Sequence, residues 1–201
     1  MTTERKFCRF NRGLSFSSGD PDLAQVSTRE IPESGMCLSS FLVISEKESD
    51  EANTKKKVLM GKLNPDAPWD HLGALDKKRA ERNSRGWMLP SCHLMLFESP
   101  REAAIRIARE QLGLSSLELG DPIVVSEVYP STLFPELKNH WDLEFIFKAV
   151  LSSKEIPTET MKQVWKEIRF LDTSTLSSMK KNNEIARSHE DILASAGLNI
   201  G

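Results

Sequence analysis

Glu98, Arg106 and Glu110 are the residues of this chain whose types and spacing could do chemistry. Carboxylates ligate hard divalent cations, and a guanidinium presents a planar fork that matches carboxylate or phosphate oxygens in pairs. Two further groups join them. Lys77, Lys78, Arg79, Arg82 and Arg85 crowd one basic stretch and could offer charge to a polyphosphate or to RNA. Asp142 and Glu144 alternate along an apolar run, share a strand face, and could add a metal ligand or a general base. Each pattern also has a plain structural reading. Glu102, Arg106 and Glu110 are spaced as a solvated ion-pair stripe on a helix, worth a few tenths of a kcal/mol per pair. The basic stretch reads equally as a solvated helical loop, and the strand carboxylates as exposed charges. Cys92 beside His93 looks like a nucleophile and base, but neighbours on a strand point to opposite faces.

The elements that must hold these groups can be read locally. Trp87-Met88-Leu89-Pro90 is a strand end that feeds a loop carrying Glu98. Ser99 is an N-cap, Pro100 sits at the first helical position, and Glu102 completes a capping box, so a helix begins there. Gly113 ends it. Ala103, Ala104, Ile107, Ala108 and Leu112 form its apolar face.

This stretch resembles the Nudix box, G-x5-E-x7-R-E-U-x-E-E-x-G-U with U aliphatic. Aligned on Gly113-Leu114, it places Glu98, Arg106, Ala108 and Glu110 at matching positions, and Cys92 at that of the first glycine. The flanks, Trp87 to Pro90 and Glu98 to Ala104, also look like Nudix sequence. The resemblance implies an α/β/α sandwich with a mixed sheet. It also implies cleavage of a nucleoside diphosphate linked to a moiety X, with water as nucleophile and Mg²⁺ or Mn²⁺ as electrophile. The helical carboxylates of the box would share that cation, but here their three positions read Ile107, Glu110 and Gln111. Glu98 and Glu110, with Gln111 as a neutral donor, could hold one well-hydrated Mg²⁺ with help from phosphate. Arg106 would orient one of the carboxylates, Lys77, Lys78 and Arg79 would meet the ligand, and Glu136 or Glu144 would supply a supplementary acid. The expectation is a Nudix-like domain acting on or binding an NDP-X compound, with weak or atypical hydrolysis. The alternative is a non-catalytic Nudix-fold ligand sensor or an interaction subunit, for example of a ribonucleoprotein.

A chain of 201 residues is long enough for one domain with a sizeable core. Residues 1–34 lack periodicity and read as an N-terminal arm, and 35–201 as the domain, with an insertion at about 63–86. Cys37–Ser45 and Val58–Lys62 read as a hairpin. Pro122–Tyr129 and His140–Leu151 read as strands, Ile168–Leu171 as the apolar part of another, with helices near Leu176 and from His189 to Ala196. Trp69 and Leu72 pack the insertion onto the body. With 27 Lys and Arg against 29 Asp and Glu, the net charge of −2 excludes an indiscriminate basic field. No run of eighteen apolar residues suggests a membrane span, and no signal core follows the first residues. Three scattered cysteines read as free thiols of a reducing cytoplasm, and four dispersed histidines show no zinc spacing. No P-loop, dinucleotide fingerprint or nucleophile elbow is present.

Overall fold

A computed structural model of the protein describes residues 9–10, 36–47, 56–130, 138–152 and 158–201. Of the expected arm only Arg9–Phe10 (β1) falls among them, and Glu136 lies outside them. Strand β2 (Met36–Glu46) is the spine. It runs parallel to β6 (Lys138–Leu151) along its whole length. Its other edge is shared by β1, by β4 (Ser91–His93) and by β3 (Lys57–Leu63). Adding β5 (Ile123–Pro130) and β7 (Trp165–Asp172) gives the path β5-β6-β2-β3-β7.

The unbroken apolar run in β2 reflects a sheet covered on both faces. Leu42 and Ile44 join Leu59, Leu63 and Phe147 beneath helix α3 (Pro100–Leu112). Phe41 and Val43 face the other way, with Val58, Met60 and Ile146, toward α5 (Thr173–Lys181) and α6 (His189–Ser195). This is the α/β/α sandwich with a mixed sheet.

Helix α3 forms where its caps require. The Ser99 side chain accepts from the Glu102 amide, Glu102 accepts from the Ser99 amide, and Gly113 closes the helix at φ 68°. Ala103, Ala104, Ile107, Ala108 and Leu112 are all buried. The solvated-stripe reading fails at one position: Arg106 is buried and pairs with Glu98. One other local reading is corrected, and one helix is added. Ser91–His93, read as loop, is a strand because Leu42 N–H also bonds Pro90 O at 2.9 Å and draws the segment onto β2. The approach to β7 is a helix, α4 (Thr158–Val164). The insertion folds as α1 (Trp69–Leu72) and α2 (Lys77–Asn83), with Trp69 edge-to-face against Trp165 at 5.2 Å.

Candidate functional site

The loop between β4 and α3 is fastened by one buried ion pair. Arg106 Nε donates to Glu98 Oε1 at 2.7 Å and Nη2 to Oε2 at 2.8 Å, a bidentate arrangement. Nη2 also reaches His93 O at 3.1 Å, Nη1 lies 3.4 Å from Cys92 Sγ, and Met95 N–H donates to Glu98 Oε2 at 2.8 Å. Burial opposes the guanidinium charge, yet Glu98 and Cys92 together raise its pKa above the ordinary value. The pair thereby fixes the backbone from Cys92 to Glu98 from both ends. Within that fixed loop Phe97 is fully exposed (104%) and held at φ 64°, a left-handed conformation that costs a residue with a Cβ about 1–2 kcal/mol.

Two of the three helical positions of the box face inward. Ile107 is 0% exposed among the leucines of the α3 core. Gln111 is also 0% exposed; its Nε2 donates to Leu72 O and Ser91 O, each at 2.9 Å, and its backbone carbonyl accepts from Trp165 Nε1 at 2.8 Å, while Oε1 has no hydrogen-bond partner among the described residues. Gln111 thus ties α1, β4 and β7 to the box helix. Two carbonyls as partners require the amide NH₂, so a glutamate at this position would set a charge against two acceptors. Glu110 is half-buried, with Arg109 Nη2 at 3.4 Å. Glu98 and Arg106 are therefore brought together, while Glu110 and Gln111 point to different surroundings. Among the described residues no three His, Cys, Asp or Glu side chains group so as to hold a metal ion. The donor set of this segment does not fit a clustered divalent centre.

The basic insertion behaves in two halves. Lys77 Nζ donates to Asp66 at 2.8 Å and to Pro65 O at 3.0 Å, Arg79 lies 3.5 Å from the capping Asp76, and Lys78 is exposed. The far end of α2, with Arg82, and Arg85 just beyond it line a cavity shared with the segment before α6.

Asp142 and Glu144 do share a face, the one opposite α3. Register sets Glu144 in a row with Ser39 and His93, whose Oγ and Nδ1 are 2.9 Å apart. Glu144 is 9% exposed, and its Oε2 has no hydrogen-bond partner among the described residues. Burial, reinforced by Asp142 and Glu127 and opposed by Arg187, pushes its carboxyl up to about 7. Nearby His189 is wholly buried, accepts Leu89 N–H on Nδ1 at 2.8 Å and packs edge-on to Phe41. Burial, with Arg187, holds it well below the usual imidazole range. Sequence reasoning did not find Phe97 or Arg187. No periodicity marks either one, and backbone conformation singles out both.

No protein-family profile matches the chain, and no curated protein matches it. Its fold is nevertheless that of the Nudix family. A mutT/nudix family protein from Listeria innocua aligns at a TM-score of 0.54 and 15% identity, over 80% of this chain and 90% of that one. A MutT protein from Methanosarcina mazei Go1 aligns at 0.51 and 14% identity, over 82% and 93%. Shewanella oneidensis NrtR, complexed with a 27mer DNA, aligns at 0.52 and 13% identity, over 79% of this chain and 59% of that one. At such identities the likeness is one of fold. No helix among the described residues is long and apolar enough to cross a membrane.

Proposed function

We propose that this chain is a Nudix-fold domain that binds a nucleotide-linked, NDP-X type of ligand at the loop before α3 and hydrolyses it weakly or not at all. The box segment itself carries the reading. Its loop is clamped by Glu98 and Arg106 and presents a strained, exposed Phe97, while Ile107 and Gln111 are built into the core. A strained aromatic this exposed is compensated when a base stacks on it, an interaction worth about 1–3 kcal/mol. Lys77, Lys78 and Arg79 are the proposed source of positive charge for the ligand phosphates; Lys78 is available directly, and the other two by exchange from Asp66 and Asp76. Mg²⁺ or Mn²⁺ would enter with the ligand, held by its phosphate oxygens and Glu110. Glu98 would contribute only by surrendering Arg106, and Gln111 only through its buried Oε1, which has no hydrogen-bond partner among the described residues.

Isothermal titration of ADP-ribose and a dinucleoside polyphosphate, with and without Mg²⁺, tests the reading beside a pyrophosphatase assay. Saturable binding that Phe97→Ala weakens about tenfold, with slow or absent turnover, is expected. Rapid Mg²⁺-dependent turnover, or no binding by either compound, overturns it. A second reading, an interaction subunit, is favoured by Val124 and Val128, which stand more than half exposed on the sheet-edge strand β5. Copurification with a larger or RNA-containing assembly, through a surface lost on Val124→Lys, would select it.

A further inference from the structure

The C-terminal end of α2 and the segment from Asn183 to Arg187 wall an open cavity of about 390 Å³. Of its eight lining residues three are arginines, Arg82, Arg85 and Arg187, two are asparagines, Asn83 and Asn183, and none is acidic. Arg82 and Arg85 are exposed and have no ion-pair partner among the described residues. The contrast within α2 is informative, since Lys77 and Arg79 in its first turn both face aspartates. Cations at the C-terminal end of a helix are favoured by its dipole, which helps hold Arg82 in place.

The walls are fixed before anything binds. Trp87 N–H donates to Glu184 O and Ala186 N–H to Trp87 O, each at 2.8 Å, stitching the two segments as a parallel bridge. Gly86 sits in the seam, where a Cβ would come within 2.9 Å of Ala186 Cβ and 3.0 Å of Ala186 N. The segment also concentrates backbone strain, with Asn183, Arg187 and Ser188 at φ 55°, 59° and 53°. Non-glycine residues keep such conformations where the surroundings over-determine them, and they gather at ligand clamps. Arg187 is shared with the polar face of the sheet, where its charge also bears on Glu144.

Three guanidinium forks around one small cavity match more phosphate oxygens than a single phosphate offers, because each fork takes a pair. We propose that this cavity is an anion site for a small molecule carrying a diphosphate, free or as part of a nucleotide. It is separate from the box loop and does not rest on the reading of that loop.

Calorimetric titration of the full chain in EDTA with inorganic diphosphate, ADP and orthophosphate tests this, beside Arg82→Gln/Arg85→Gln and Phe97→Ala variants. Both arginines are exposed, so the double variant should keep the natural melting temperature. Diphosphate should bind more tightly than orthophosphate, at least tenfold more weakly in the double variant, and unchanged in Phe97→Ala. Tighter binding of ADP than of diphosphate would assign the nucleotide; equal binding would assign the free anion. Arg82→Lys/Arg85→Lys, which keeps charge but not the fork, should fall between. No diphosphate binding, or binding that the Gln variant leaves unchanged, overturns the proposal. So does an affinity for single-stranded RNA that the Gln variant loses while diphosphate fails to bind.

Discussion

On the α3 face of the sheet the buried guanidinium of Arg106 meets both oxygens of the buried Glu98 carboxylate through its Nε–Nη2 edge. On the opposite face Glu144 is just as deeply placed, but one of its oxygens has no hydrogen-bond partner among the described residues, and its neighbours Asp142 and Glu127 share its sign. Desolvation acts on both carboxylates. Where a bidentate partner answers it, the pair becomes a clamp that shapes a loop. Where none does, the proton stays, and the group titrates near neutrality. The face bearing the box residues is thus settled by a paired charge, and the opposite face carries a carboxyl pushed up to about 7.

The sharpest way to break this comparison is to force charge into the settled face. Ile107→Glu with Gln111→Glu buries two carboxylates, one in an aliphatic core and one against two carbonyls. Stability should fall by on the order of 5 kcal/mol or more, and Mn²⁺ should not restore it. A melting curve with and without Mn²⁺ reads both, and full rescue by metal would mean that these positions can still form a cation centre.

Removing the answering charge comes next. Arg106→Leu leaves Glu98 buried without its partner and should cost about 3–5 kcal/mol by urea unfolding. A loss below about 1 kcal/mol would show that the pair is ornamental.

Glu144→Gln examines the opposite face. Because the folded pKa is raised from 4.5 to about 7, the native state keeps a proton that the unfolded chain releases. The contribution of this group is therefore full below pH 4.5 and is lost as pH rises to 7, by up to about 3 kcal/mol. Glu144→Gln should stay level across that window relative to the natural chain, and parallel stability curves would contradict the assignment. The smallest effect is expected at Phe97→Gly, which relieves the left-handed strain and should stabilise the fold by at most about 1 kcal/mol while weakening ligand binding. A neutral or destabilising result would place the Phe97 ring in a contact that offsets its backbone.

Much of the scaffold was legible in the linear pattern. Ser99, Pro100, Glu102 and Gly113 mark the ends of α3 because caps act within one turn of chain. Cys37–Ser45 reads as a buried strand because both of its sides are apolar. Strand Ser91–His93 was not legible, since three residues carry too little periodicity and the strand exists through its pairing with β2. At the box, the identities of Ile107 and Gln111 could be read directly. That Gln111 serves as a three-way tie among α1, β4 and β7 could not, because its partners Leu72, Ser91 and Trp165 come from distant segments.

By itself the sequence determined the ends of α3, the two-faced burial of β2 and the loss of acidic side chains from the box helix. Those follow from propensity, capping and alternation, which are local. Tertiary structure alone decided which charges are answered. Arg106 could have paired with Glu102 or Glu110 on its own helix, and instead crosses to Glu98 because the β4 loop brings that carboxylate over its guanidinium. Arg82, Arg85 and Arg187 lie about a hundred residues apart in two groups and share a cavity only because Trp87 and Ile185 are bridged. Electrostatic energy depends on distance and burial in space, and neither is a property of position along the chain.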